Sequence, residues 1–237
     1  MKKIDVIITA GTVQASQAEG NIAVVIDVLR ASSVICTALQ NEAKAVIPVE
    51  TLEEAFEFRT ENCLLAGERK GFKPEGFNLG NSPFEYKPEI IAGKDIILST
   101  TNGTQAIKNS RDATEIIVAS FLNIDTVCNY LLSQPLDVCI VCAGTENRFS
   151  LDDALCAGNI ISILCAKSNS VSLTDSAFSH KTLYESMGSN LQQALQDGCF
   201  HYGYLKNNGF ASDVDFCLQK NIFNILPKLS NNRIISC

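Results

Sequence analysis

The chain has 237 residues, 46% of them hydrophobic and 19% charged, with a formal net charge of -7. This is enough apolar material for one large or two small domains, with no allowance for long disordered tails. The acidic balance excludes a general nucleic-acid binder, which needs a basic face, so any anionic ligand must be drawn by local positive groups.

The start, Met1-Lys2-Lys3-Ile4-Asp5-Val6, carries a charge inside its apolar run and lacks a signal-peptide core. No apolar stretch approaches the length of a membrane span. The ten cysteines sit mostly in apolar segments, which points to reduced, buried thiols and a cytoplasmic protein. Cys139 and Cys142 form a Cys-x-x-Cys inside a predicted strand with no second pair to complete a zinc site.

Residues 4–9 read as a first strand, followed by a polar loop from Gly11 to Gly20. Ile22 to Val28 is the clearest strand: continuous, β-branched and short, as expected when both faces are buried. Asp27 stands at its C-terminal end, the edge where ligands bind in open α/β sheets. Arg30, Ser32 and Ser33 follow, then a helix over 34–40. Ala45–Val49 is a further strand, and Thr51-Leu52-Glu53-Glu54 opens a helix with a capping-box pattern. A short strand at Cys63–Ala66 leads into the charged loop Gly67-Glu68-Arg69-Lys70-Gly71. Residues 71–89 form a long, turn-rich loop of the kind that is usually functional or mobile.

Ile96–Leu98 reads as a buried strand, and Ser99-Thr100-Thr101-Asn102-Gly103-Thr104 as a hydroxyl-rich junction into a helix. Backbone N–H groups at such a helix start attract anions. Ala43–Val49 then lines up with Ala113–Ala119, seventy residues on, and the Asp27 loop falls opposite the Ser99–Thr104 loop. Two similar strand–loop–helix halves whose loops face one site would produce this pattern. Val138–Cys142 is another buried strand, and Ser150 is the expected N-cap of a helix to about Ala166. The tail suggests helices at 175–187 and 191–196 and strands at 222–226 and 234–235.

Four loops therefore follow four strands. They carry Asp27 with Arg30, Ser32 and Ser33; Glu68 with Arg69; Ser99 to Thr104; and Glu146 with Arg148, Asp152 and Asp153. If the sheet is mainly parallel, they share one rim. Acids suit a hard cation such as magnesium, and arginines and hydroxyls suit phosphate oxygens, which together match metal-assisted phosphoryl transfer to water. Each group also has an ordinary reading. Asp27 can pair with Arg30, Glu68–Lys70 can be a solvated turn, Asp152 and Asp153 can serve the helix dipole, and Ser99–Thr104 can be a capped helix start. An aspartyl-phosphate route needs a second Asp two positions after Asp27, where Leu29 stands. Cys142 and Arg148 have the spacing of cysteine-nucleophile phosphatases, but Val141 replaces the usual His and the nearby acids oppose a thiolate, so Cys142 is a low-ranking nucleophile. Of the two histidines, His201 is the better candidate for proton transfer.

The chain resembles the 2-phosphosulfolactate phosphatase family of coenzyme M biosynthesis. The resemblance runs from about Val24 to Ile234. It rests on Val25–Ser33, Gly67-Glu68-Arg69, Gly76–Pro83, Thr100–Thr104, Ser120–Asn123, Val141–Glu146, Phe149–Gly158 and Asp213-Val214 with Phe216-Cys217. It implies a magnesium-dependent phosphatase that converts (2R)-phospho-3-sulfolactate to (2R)-3-sulfolactate and phosphate. Alternatives are a phosphatase of another short phosphorylated hydroxy acid and a non-catalytic phospho-acid sensor.

The expected fold is α/β, a three-layer α/β/α arrangement on a mainly parallel or mixed sheet. It is either a single domain or two lobes, about 1–90 and 91–237, with the active site between them. Magnesium is expected on Asp27, Glu68 and Asp153. Asp27, Arg30, Arg69 and Asn102 are the expected catalytic groups, with Asn102 orienting an oxygen. Ser32, Ser33, Thr100, Thr101, Gly103 and Thr104 are expected to hold the phosphate, and Arg148 the sulfonate or carboxylate. The expected partners are a small anionic phosphorylated substrate and a second copy of the chain, with no nucleic acid and no membrane.

Overall fold

A computed structural model describes residues 1–13 and 15–237, with the backbone alone at residues 15 and 16. The expected loop Gly11–Gly20 includes Gln14, which lies outside the described residues. Ten strands are found among the described residues: β1 (Lys2–Ile7), β2 (Ile22–Ile26), β3 (Ala45–Pro48), β4 (Cys63–Gly67), β5 (Asp95–Ser99), β6 (Glu115–Ala119), β7 (Val138–Cys142), β8 (Val171–Leu173), β9 (Pro227–Ser230) and β10 (Arg233–Ser236). The helices are α1 (Ala15–Ala18), α2 (Ala31–Gln40), α3 (Leu52–Glu57), α4 (Pro88–Ile91), α5 (Gly103–Asn109), α6 (Ile124–Ser133), α7 (Leu151–Lys167), α8 (Asp175–Met187), α9 (Leu191–Gly198), α10 (Phe200–Asn207) and α11 (Ala211–Cys217).

All strands join one mixed sheet in the order β4-β5-β3-β10-β9-β6-β2-β7-β1-β8. It consists of two parallel blocks. One is β4-β5-β3 and the other is β6-β2-β7-β1-β8. The antiparallel hairpin β9–β10 separates them, pairing β10 with β3 and β9 with β6. The two blocks therefore run in opposite directions, and the strand-end loops do not share the rim of one parallel sheet.

The hairpin also gives the internal repeat a structural meaning. β3 and β6 flank it on either side, and β5 and β2 lie one strand further out. These are the same pairs that align seventy residues apart. Each neighbouring pair of strands twists by about 20–25°. The residues that follow β5 and β2 nonetheless come into contact, Gly103 against Asp27.

Strand β2 shows why the sheet is buried on both faces. Ile22, Val24 and Ile26 enter one core with α6, α7 and α9, while Ala23 and Val25 enter the other with α2 and α5. All five residues are buried, so a continuous apolar run is required in place of alternation. The expected strand at 222–226 lies instead at Pro227–Ser230. Asn123 on the inside accounts for part of the shift: its side chain donates to the carbonyls of Val118 and Ile225 and holds that segment as loop. Helices α10 and α11 have no strong apolar period and were not read from the sequence.

Candidate active site

Asp27 follows β2 directly, and the alternation that sends Ala23 and Val25 toward α2 and α5 carries its side chain to the same face. Its Oδ1 accepts from the backbone N–H of Ala31, 3.1 Å away, at the start of α2. Ser32 Oγ accepts from Asp27 N (3.1 Å) and donates to Asp27 O (2.7 Å), and Ser33 Oγ donates to Val28 O (2.9 Å). Helix α7 closes the turn from the other side. Asp153 accepts from Val28 N and Gly144 N, both at 2.9 Å, and Asp152 Oδ2 accepts from Leu29 N at 3.2 Å. Ser150 precedes α7 without making a capping bond; its hydroxyl donates to Asp152.

The second edge is built by β4 and β5. Gly67 ends β4 at a φ of 142°, where a Cβ would collide with the Ser99 carbonyl, so only glycine lets the two strand ends close. Glu68 comes next. Its carboxylate accepts from Thr101 N (2.8 Å) and Gly71 N (2.7 Å), fixing it between the two loops. Arg69 donates to the carbonyls of Glu68, Ser99 and Glu50 and to Ser99 Oγ. Thr100 and Thr104 bond to each other's side of the helix start: Thr104 N donates to Thr100 Oγ1, and Thr104 Oγ1 donates to Thr100 O. Asn102 precedes α5 with no capping bond, so its amide is uncommitted.

The two edges meet at Gly103. A Cβ there would lie 2.6 Å from Ala31 Cβ and 2.7 Å from Asp27 Oδ2. The absence of a side chain at Gly103 is what lets α5 seat against Asp27 and the start of α2.

A pocket of about 320 Å³ opens at this junction. Asp27, Glu68, Thr100, Thr101 and Asn102 are among the residues that line it. Arg30, Lys70 and Asn81 also line it, and Phe200, His201 and Tyr204 of α10 add aromatic rings. Arg30 is almost wholly buried. It pairs with Asp213, donates to Gly71 O (2.8 Å) and stacks over Phe210 at 4.1 Å. His201 Nε2 donates to Leu29 O at 2.9 Å, which leaves Nδ1 as the basic atom of the neutral ring. Its ring stacks on Tyr204 at 6.1 Å.

Burial dominates the electrostatics. It pushes the Asp27 carboxyl up to about 7; the nearby charges of Asp152 and Glu68 add to the rise, while the Ala31 N–H and Arg30 oppose it. Asp153 is held well above the ordinary carboxylate range, first by burial and then by Asp152 and Asp27, although Val28 N and Gly144 N pull the other way. Several buried acids thus crowd a region whose buried cation, Arg30, is already paired with Asp213.

Residues 7–232 match the sequence profile of the 2-phosphosulpholactate phosphatase family. This chain belongs to that family. Curated relatives bear the description "Probable 2-phosphosulfolactate phosphatase", which names a phosphoric monoester hydrolase. A relative from Clostridium perfringens (strain SM101 / Type A) is 47% identical over 238 residues, covering 98% of this chain and 95% of its own. One from Thermotoga maritima is 48% identical over 220 residues, covering 93% and 94%. One from Clostridium beijerinckii is 38% identical, covering 98% of each.

Against this 2-phosphosulfolactate phosphatase background, the expected site residues divide. Asp27, Arg30, Glu68, Thr100, Thr101 and Asn102 line the pocket. Ser32, Ser33 and Thr104 do not: their hydroxyls are bonded to backbone carbonyls, which leaves no donor for phosphate. Arg69 is not among the lining residues and donates to the Glu68, Ser99 and Glu50 carbonyls instead. Arg148 is exposed beyond the tight turn Thr145–Arg148, whose central residues Glu146 and Asn147 take φ values of 52° and 57°. Glu146 and Thr145, not Arg148, reach the pocket. Cys142 is buried in the core at the end of β7. Burial and the charge of Asp153 drive its thiol well above its usual value, so it stays protonated, away from the pocket.

Asp153 is likewise turned from the pocket, with both oxygens on backbone N–H groups. Among the described residues, no group of three His, Cys, Asp or Glu is arranged to hold a metal ion. Asp27 and Glu68 do fit a hard cation of the magnesium type, which commonly takes one or two carboxylates and completes its shell with water and substrate oxygens. Asp27 Oδ2 has no hydrogen-bond donor among the described residues, and each Glu68 oxygen keeps a second lone pair. Among the described residues no helix is long and apolar enough to cross a membrane.

Proposed function

We propose that this chain is a magnesium-dependent phosphatase that hydrolyses (2R)-phospho-3-sulfolactate to (2R)-3-sulfolactate and phosphate. The observation that carries this reading is the meeting of Asp27 and Glu68, from oppositely directed strand blocks, in one pocket that Arg30 and Lys70 also line. That arrangement suits a substrate with a phosphate at one end and further anionic groups at the other. The family membership supports the same substrate class.

In this reading Asp27 and Glu68 would hold magnesium, which would supply positive charge that the acidic chain lacks. Asn102 and the Thr101 hydroxyl orient the phosphate oxygens. Water attacks phosphorus, the bond from phosphorus to the sulfolactate oxygen breaks, and that oxygen takes up a proton from solvent to leave as the hydroxyl. His201 Nδ1 takes the proton from the attacking water, its ring kept in place by the Leu29 carbonyl and Tyr204.

Phosphate release from (2R)-phospho-3-sulfolactate, measured with and without magnesium, tests the proposal. Steady turnover that a chelator abolishes and magnesium restores is the expected outcome. Tight binding of the phospho-acid without release would identify a sensor. Turnover of phospholactate or phosphoglycerate in preference to phosphosulfolactate would transfer the activity to another short phospho-acid.

A further inference from the structure

Asp152 is a buried carboxylate that takes no part in the proposed reaction. It is 2% exposed, is not among the residues lining the pocket, and forms no ion pair among the described residues. Burying such a group without a cation is unfavourable unless hydrogen bonds offset the loss of water. Asp152 is well supplied with them. Its Oδ2 accepts from Leu29 N at 3.2 Å. Its Oδ1 accepts from the Ser150 hydroxyl and, at 3.6 Å, from the Cys199 thiol.

These donors belong to separate stretches of chain, and each stretch reaches the pocket. Leu29 lines it directly. Ser150 Oγ lies 3.3 Å from Oγ1 of Thr145, which lines it too. Cys199 is the N-cap of α10, its sulfur accepting from Tyr202 N at 3.5 Å, and His201 stands in the first turn of that helix. His201 closes the circuit, because its Nε2 donates to Leu29 O at 2.9 Å. Leu29 is thus gripped at its N–H by Asp152 and at its carbonyl by His201, while Cys199 joins Asp152 to the helix that carries His201. A carboxylate suits this place. Donors approach both of its oxygens, and an amide would offer one oxygen only.

We propose that Asp152 is a positioning residue that fixes the His201 ring at the pocket, acting through Leu29 and Cys199. This deepens the phosphatase reading and rests on it, and in particular on His201 as the proton acceptor. The Leu29 carbonyl is the one hydrogen-bond partner of the His201 ring among the described residues, and its other polar or aromatic neighbour, Tyr204, rides on the same helix. Where Leu29 and the start of α10 sit therefore decides where the ring sits. Proton transfer depends steeply on that placement: a shift of about 1 Å caused by a change away from the chemistry can cost about a hundredfold in rate.

The test uses the full-length chain and reads kcat and KM separately for phosphate release from phosphosulfolactate. Asp152→Ala is expected to lower kcat about a hundredfold with KM within about twofold of the wild type. In a His201→Ala background the same substitution should lower kcat by less than about twofold more, since the group it positions is already gone. If Asp152→Ala does not fold, Cys199→Ala carries the test, with kcat expected to fall about fivefold. Cys199→Ser, whose hydroxyl donates to Asp152 and accepts from Tyr202 N, should restore it. A second readout needs no turnover. The chain has two histidines, so their imidazole NMR signals are assigned by His201→Ala alone. Cys199→Ala is expected to shift the His201 signals and leave those of His180 in place. An equal fall in kcat in both backgrounds, a loss confined to KM, Cys199→Ser no better than Cys199→Ala, or an unmoved His201 signal would each overturn the assignment. Failure of the reading beneath it looks different: the wild type would release no phosphate, or His201→Ala would turn over like the wild type, while the NMR comparison would still report on the link from Asp152 to His201.

Discussion

The β2–α2 and β5–α5 junctions occupy equivalent places on either side of the β9–β10 hairpin, yet they have diverged in chemistry. The first carries Asp27 and Arg30, both buried and both drawn into networks of charge. The second is uncharged, and its threonines mostly secure the start of α5. Gly103 of the second seats directly on Asp27 of the first. The comparison shows one unit used twice, once to place charge and once to provide a neutral surface against which that charge is held. A charged residue on both sides would have added another buried ion to a region already crowded with acids.

The largest effect should come from the charged junction. Asp27→Asn keeps the acceptor for Ala31 N but removes the negative charge, and turnover should fall by about a thousandfold or more in a phosphate-release assay. Stability should move the other way. The folded-state pKa of Asp27, about 7, lies above its unfolded value. The associated stability is present below about pH 4 and is lost as pH rises through 7. At pH 8 the variant should therefore melt higher than the wild type without magnesium. Added magnesium should raise the melting temperature of the wild type and leave that of the variant nearly unchanged.

Next is Arg30→Ala, which leaves Asp213 buried without its cation and releases both ends of the 71–82 loop. Breaking one partner out of a buried pair costs about 3–5 kcal/mol, readable by denaturant unfolding. Asp213→Asn should cost less, since the amide oxygen can still accept from Arg30 while its NH2 donates to the Ser82 hydroxyl.

Gly103→Ala tests the contact between the two junctions. The new methyl meets Ala31 Cβ and the Asp27 carboxylate, so the helices must separate. Overpacking of this kind costs about 1–3 kcal/mol, and turnover should fall further than that loss of stability alone would explain. The same substitution at Gly203, where a Cβ meets nothing within 4 Å, serves as the control.

The smallest effect belongs to the hydroxyls. Ser32→Ala removes two bonds to the Asp27 backbone and should cost about 1–2 kcal/mol with KM nearly unchanged. A large rise in KM at unaltered stability would return Ser32 to the substrate and erase the distinction between lining and bracing residues.

The α/β class, the buried strand β2 and the acid at its end were legible because period and burial are local: Ile22–Ile26 must be covered on both faces whatever surrounds it. The hydroxyls of Ser32, Ser33 and Thr104 misled for the same local reason. A helix-start serine looks identical in sequence whether it faces a ligand or its own backbone. Asp152 and Asp153 followed the ordinary expectation for acids in a first helical turn, although their partners lie 123 and 125 residues away in the turn after β2. Asp213 and Ser82 belonged to motifs that marked the family, but nothing local tied them to Arg30.

The sequence by itself determined the family, the strand-to-loop placement of Asp27 and Glu68, and the repeated unit that carries two of the site's loops. Only the tertiary structure decided which polar groups reach the pocket. That choice depends on partners far apart in the chain: Asp213 takes up Arg30, Val28 and Gly144 take up Asp153, and backbone carbonyls occupy Arg69. Asn81 alone among the buried pocket residues is left with an uncommitted amide, and a buried hydrogen-bonding group is defined as much by the partners it lacks as by its own chemistry.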